Sequence, residues 1–164
     1  MRILVAGAGA VGSAVGGSLA LAGHPVGFLA RPTYVHQVRE RGLILTRDGC
    51  PQRIPDVLAD TEAGTLVAAL GGLDLAMVTT KVYDTAEVCR GLRGPVHDYG
   101  ATVLVIQNGL GGDAIAAGVL GDTPIVTVDT TQVMTPATMG VSPSTPAAMA
   151  SPPTPFCITS TVAP

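Results

Sequence analysis

Residues 2–12 read Arg-Ile-Leu-Val-Ala-Gly-Ala-Gly-Ala-Val-Gly, an apolar run of strand type that passes without a spacer into glycines at positions 7, 9 and 12. A strand must hand over abruptly to a helix here. The three glycines have separate tasks: Gly7 makes the tight turn, Gly9 lets an anion approach the backbone, and Gly12 lets helix and strand pack closely. This is the spacing of a turn that offers a helix's first amides to the pyrophosphate of a dinucleotide. The plain alternative is a glycine-rich turn kept only for packing.

Working outward, Ile3–Ala6 reads as a central parallel strand and Val11–Ala22 as the helix after it, stopped by Gly23 with Pro25 beyond. Val26–Ala30 is the second strand. Pro32 breaks it, Thr33 caps a helix that runs to Arg41, and Gly42 ends that helix. Leu43–Thr46 and the residues around Ile54, joined across Arg47-Asp48-Gly49, suggest a short hairpin or an irregular excursion. Leu73–Thr79 is a buried strand, followed by Lys81 and a helix over 85–90. Thr102–Ile106 is another strand, ahead of a glycine-rich turn at 107–112 and a helix over Asp113–Leu120; Ile125–Val128 is the last strand. Strand and helix alternate, which predicts an α/β fold of Rossmann type: a doubly wound parallel sheet with helices on both faces, over residues 1–129.

Residues 130–164 differ in kind. They carry no charge and hold seven of the chain's 13 prolines, with no helical or strand period. Pro, Ser, Thr and Ala without an apolar face cannot offset chain entropy, so this segment reads as an irregular, poorly packed tail.

Composition narrows the function. The 164 residues suffice for one full core, built from Ala, Val, Leu and Ile because aromatics are only 3% of the chain. A net charge of -3 without a basic run argues against a nucleic-acid partner. Cys50, Cys89 and Cys157 fit neither a disulfide framework nor a metal pattern, which points to a reducing cytoplasm. Residues 3–23 are uncharged, follow Arg2 and contain Ala20-Leu21-Ala22, as a secretory signal would. Six of those 21 residues are glycine, however, and Gly7 and Gly9 interrupt the apolar run; the Gly12/Gly16 pair is a weak membrane signal for the same reason. A soluble chain without a membrane partner is the expectation.

Three further residues carry chemistry. The second strand ends Phe28-Leu29-Ala30-Arg31, with no carboxylate for a ribose 2′-hydroxyl and with a guanidinium suited to a 2′-phosphate, so NADP is expected over NAD; the plain alternative is a solvated surface arginine. Lys81, the only lysine, follows a buried strand at the end where open α/β sheets bind ligands; it is either a point charge for cofactor or acidic substrate, or a surface lysine. Asn108 takes the same place one strand later and offers donors and an acceptor, although Asn-Gly is also an ordinary turn pair. His24, His36 and His97 have no metal-ligand spacing, and Asp113 reads as a carboxylate complementing a helix N-terminus.

Four motifs stand in order: Gly7-Ala8-Gly9-Ala10-Val11-Gly12, Leu29-Ala30-Arg31-Pro32, Thr80-Lys81-Val82-Tyr83-Asp84-Thr85 and Gln107-Asn108-Gly109-Leu110-Gly111. Together they resemble the N-terminal domain of the ketopantoate reductase (2-dehydropantoate 2-reductase) family, from Met1 to about Asp129. The resemblance implies NADPH-dependent reduction of 2-dehydropantoate to pantoate, on the way to pantothenate. It assigns Gly7, Ala8, Gly9, Ala10, Val11 and Gly12 to the pyrophosphate, Arg31 to the 2′-phosphate, Lys81 to the cofactor side of the cleft, and Asn108 to cofactor and substrate. It also implies a helical second domain that supplies the proton-donating lysine and most substrate contacts. The sequence shows none of that domain, so the expectation is a truncated or frame-shifted N-terminal half that works with a separate C-terminal domain, self-associates, or serves as a stand-alone NADP-binding module without turnover. No catalytic residue and no metal ligand is expected among these 164 residues.

Overall fold

The computed structural model describes residues 1–47, 50–54, 56–108, 111–129 and 158–162. The chain opens with strand β1 (Ile3–Ala6) and helix α1 (Ala10–Leu21), then β2 (Val26–Leu29) and α2 (Pro32–Arg41). A hairpin of β3 (Leu43–Arg47) and β4 (Cys50–Ile54) leads to β5 (Leu58–Asp60) and α3 (Ala63–Leu70). Next come β6 (Leu75–Val78), a 3-10 turn at Val82–Asp84, α4 (Thr85–Tyr99), β7 (Thr102–Gln107), α5 (Gly112–Leu120), β8 (Ile125–Asp129) and β9 (Ile158–Val162).

Six strands form one parallel sheet in the order β5-β2-β1-β6-β7-β8. The chain winds from β1 to one side through β2 and to the other through β6, so the order reverses at β1 and opens a crevice at its carboxyl end. Alternate residues of β1 feed two cores. Ile3 and Val5 join Phe28, Met77, Val35, Val38 and the hairpin's Leu43, Leu45 and Ile54 on one face. Leu4 and Ala6 join Val78, Val103, Leu66, Val67, Leu92 and Leu120 on the other. Each fully buried aliphatic chain contributes about 1.5–3 kcal/mol, and four-residue strands are stable here because both faces are covered. The doubly wound reading holds, and the run that resembles a secretory signal is the central strand with its helix.

Several local expectations are corrected. Arg31, not Thr33, is the N-cap of α2, and Pro32 takes the first helical position, where its missing N–H costs nothing. The helix expected over 85–90 continues to Tyr99 through Gly91, Gly94 and Pro95. Thr85, Cys89, Leu92 and Val96 make a buried stripe along it, so packing overrides weak propensity. β5 and α3 have no counterpart in the sequence reading. The three-residue β5 is too short to show a period, and it is held by parallel pairing of Gly27–Leu29 with Leu58–Asp60. Apart from these corrections, within the segment read as an irregular tail, 158–162 forms a strand antiparallel to β3. The rest of that expectation, on 130–157 and 163–164, lies outside the described residues. No helix among the described residues is long and apolar enough to cross a membrane.

The amino end of β1 is tied across the sheet to Asp74. The Arg2 amide and guanidinium both donate to the Asp74 carboxylate, and Arg2 Nη1 donates to the Gly71 carbonyl at 2.7 Å. These bonds, the guanidinium's first, hold the Asp74 carboxyl well below the usual carboxylate range. A depressed folded-state pKa adds stability above the unfolded-state value of about 3.9, and that stability is lost as pH falls through the folded-state value. In urea melts, the stability lost in Asp74→Asn should therefore be constant above about pH 5 and shrink progressively below about pH 4. A gap that does not vary with pH would refute this account.

Candidate functional site

The glycine turn is built by three contacts. Gly7 takes φ +106°, a conformation that L side chains rarely adopt, and a Cβ there would lie 2.7 Å from Thr80 Cγ2. The Thr79 hydroxyl donates to the Gly7 carbonyl at 2.6 Å and so fastens the turn to the end of β6. At Gly12 a Cβ would collide with that same carbonyl and with the Thr79 hydroxyl. Gly9 is different. It is the N-cap of α1 in extended backbone (φ -78°, ψ -167°), which any residue adopts, and no protein atom lies within 4 Å of a Cβ placed there. The first intrahelical bond is Ser13 N–H to the Gly9 carbonyl, and the Gly9 amide itself donates to the Gly7 carbonyl at 2.8 Å, so the turn leads directly into the amino end of α1, the end of a helix that favours an anion.

The other predicted residues fall on the same edge of the sheet. Arg31 follows β2, Lys81 follows β6 and Asn108 follows β7, each at the strand's carboxyl end. With Gly7 after β1, the four positions stand in the spatial order β2, β1, β6, β7. At the usual strand spacing, Arg31 and Asn108 are about 14 Å apart along the edge. The structure thus makes a row rather than a cluster, with Arg31 at one end, the turn within it, and Lys81 and Asn108 at the other. Lys81 and Asn108 are both exposed, and among the described residues no carboxylate pairs with Lys81. Gly109 and Leu110 lie outside the described residues; Gly111 caps α5 at φ +97°, and Asp113 lies in that helix's first turn as expected.

Other features of the site escape sequence reasoning. No carboxylate ends β2 itself, but Asp84, from the 3-10 turn after β6, reaches to 3.7 Å from the Arg31 guanidinium, which is 85% exposed. Asp60, at the end of neighbouring β5, is held by Arg39 and by the amides of Thr61 and Glu62, the Glu62 amide doing most to lower its pKa. Ser13 donates to the Ala8 carbonyl at 3.2 Å and meets the Tyr34 hydroxyl at 2.9 Å, so α2 braces the glycine turn. Burial pushes the Tyr34 phenol above its ordinary pKa, partly offset by Ser13. Gln107, on β7, spans to Thr80 and Thr85. The contacts of Arg31 with Asp84, Arg39 with Asp60, Ser13 with Tyr34, and Gln107 with Thr80 and Thr85 all join residues 21 or more apart in sequence. The histidines lie elsewhere: His97 Nε2 meets the Leu120 carbonyl at 2.9 Å and His36 meets Glu40. Among the described residues no group of His, Cys, Asp or Glu is arranged to hold a metal.

Residues 3–138 match the family model described as "Ketopantoate reductase PanE/ApbA". The chain belongs to the ketopantoate reductase family. This is a family of NAD(P)-dependent reductases. The chain is similar to the 2-dehydropantoate 2-reductase of Pyrococcus abyssi, 38% identical over 113 residues, and to that of Halobacterium salinarum, 38% identical over 118 residues. Those alignments cover 69% and 71% of this chain but 35% and 37% of the relatives, so the chain spans about a third of the length of the curated reductases it matches. Among solved structures it is similar to a PanE/ApbA family ketopantoate reductase from Ralstonia eutropha, with TM-score 0.68 and 30% identity over 77% of this chain and 40% of that one.

The geometry separates two glycines that look equivalent in the sequence. Gly12→Ala should destabilise the fold by about 1–3 kcal/mol, because the turn must move to admit a methyl group. Gly9→Ser should leave stability within about 0.5 kcal/mol of wild type or raise it, because serine is a good N-cap and the space is open. Urea denaturation measures both, and equal losses would refute the assignment.

Proposed function

We propose that this chain binds NADPH along the carboxyl edge of β2, β1, β6 and β7 and is the nucleotide-binding part of a 2-oxo acid reductase of the 2-dehydropantoate type. The observation that carries the proposal is Gly9. Neither backbone conformation nor packing calls for a glycine there, and a side chain would occupy open space at the amino end of α1. A phosphate is the ligand that suits such a cradle. Thr80 Oγ1, buried beside Gly7 without a hydrogen-bond partner among the described residues, is a second polar group on the same rim.

In this reading the segment Gly7, Ala8, Gly9, Ala10, Val11 and Gly12 holds the pyrophosphate. Arg31 pairs with the adenosine 2′-phosphate in competition with Asp84. The bound nicotinamide supplies the hydride. Lys81 brings an uncompensated positive charge to the cofactor side of the cleft, where it also attracts an acidic substrate, and Asn108 offers amide donors and an acceptor to the nicotinamide or the substrate carbonyl. No residue is assigned the proton that the alkoxide product must receive. Lys81 is the sole lysine and already stands on the cofactor side, and an amide at 108 is no acid. That observation favours a second reading, an NADP-binding module without turnover.

Titration of the purified chain with NADPH and NADH, with and without 2-dehydropantoate, tests both readings. Saturable NADPH binding without loss of nicotinamide absorbance supports the module; turnover supports the reductase; absence of binding refutes both. Gly9→Ser should weaken NADPH at least about ten-fold while the protein stays folded. Arg31→Asp should weaken NADPH by about 10–100-fold and leave NADH nearly unchanged, since the lost contact is charge-assisted and specific to the 2′-phosphate. Asp84→Asn should tighten NADPH by up to about five-fold, the scale of an exposed ion pair released. Equal effects on both nucleotides would refute the assignment of Arg31.

A further inference from the structure

Gln107 ends β7 between two turns that approach each other only in the folded chain. It is 7% exposed. Its Nε2 donates to the Thr80 carbonyl at 2.9 Å and to the Thr85 hydroxyl at 2.8 Å, while the Thr85 hydroxyl faces the Lys81 carbonyl at 3.4 Å. Its Oε1 is buried with no partner among the described residues, and it occupies the space where a Cβ of Gly112 would stand, at the start of α5. One amide thus touches the end of β6, the first turn of α4 and the first turn of α5. Burying an amide with its oxygen unpaired costs about as much as its two Nε2 hydrogen bonds contribute, and an apolar chain of the same length would remove that cost together with the donor to the Thr80 carbonyl. Stability alone does not explain a glutamine here. What it does supply is a fixed distance. Its two bonded partners flank Lys81 on either side, and Asn108 is its own chain neighbour.

We infer that Gln107 is a positioning residue that sets the separation and aim of Lys81 and Asn108 at the nicotinamide end of the row. The inference rests on the proposed function and names a residue that deepens it. Without the amide, the turn at 80–81 is free to move relative to the turn at 108, while the glycine turn, fastened by Thr79 and Ser13, stays in place. Loss of Gln107 therefore affects one end of a dinucleotide and spares the other.

The test compares wild type, Gln107→Met and Gln107→Glu by titration with NADPH and with 2′,5′-ADP, which carries the adenosine end alone. Cooperative unfolding of each variant is checked first. The methionine removes both hydrogen bonds at similar volume, and the glutamate keeps the shape but turns a donor into an acceptor facing the Thr80 carbonyl. Both variants should bind NADPH about ten-fold more weakly, the effect of one to two lost hydrogen bonds, with 2′,5′-ADP unchanged within about two-fold. If one variant does not fold, the same split in the other decides. Variants that bind NADPH like wild type overturn the inference, as do variants that lose both ligands equally, since that marks general damage. Wild type that binds neither ligand overturns the proposed function and this inference with it.

Discussion

The first turn of α1 can lie against the end of β1 only because position 12 has no side chain. The Gly7 carbonyl, the Thr79 hydroxyl bonded to it and the Gly12 Cα share a space with no room for a methyl group. From that approach follow the direction of α1 across the sheet and the fastening of β1 to β6 at the edge where the other candidate residues stand. A larger residue at 12 would rotate the helix away, and the row of positions on four strands would lose its centre. Tyr34 and Ser13 add a brace from α2, so both helices on that face bear on the same few atoms.

The inner strands of the sheet could be read from the sequence because they are buried on both faces and appear as continuous apolar runs. Ile3–Ala6 and Leu75–Val78 are of this kind. The places that resisted were those where tertiary contacts outweigh local preference. Nothing in Leu58–Asp60 marks it as a strand until β2 lies beside it. The expected helix stops at 90, yet Leu92 and Val96 are buried and carry α4 on to Tyr99 through Gly91, Gly94 and Pro95. Arg31 in place of Thr33 as the cap of α2 shows how a proline at the first helical position fixes the start one residue ahead.

Candidate residues could be picked from the sequence where the chemistry belongs to one residue, and contacts that belong to a pair were obscure. Gly7, Gly9, Gly12, Arg31, Lys81 and Asn108 each follow a strand, and strand order alone brings them to one edge. The approach of Asp84 to Arg31 joins positions 53 residues apart in number, and that of Gln107 to Thr80 joins positions 27 apart. No period or motif announces such contacts. They depend on how the turns after β2, β6 and β7 lean towards one another, which is set by the packing beneath them.

Helix α1 carries glycines at 12, 16 and 17, and each meets a different neighbour: the turn, then Phe28 and Val5, then Ile54 of the hairpin. Each glycine costs about 1 kcal/mol of intrinsic helix preference, and a helix of this length is marginal alone even in a favourable sequence. The leading amides of α1 therefore exist as an ordered set only in the native chain. An anion bound there would stabilise the fold as well as serve as a ligand: at a hundred times its dissociation constant it would add about 2.7 kcal/mol to the native state. Melting temperature then becomes an assay of occupancy, able to rank candidate nucleotides before any reaction is known.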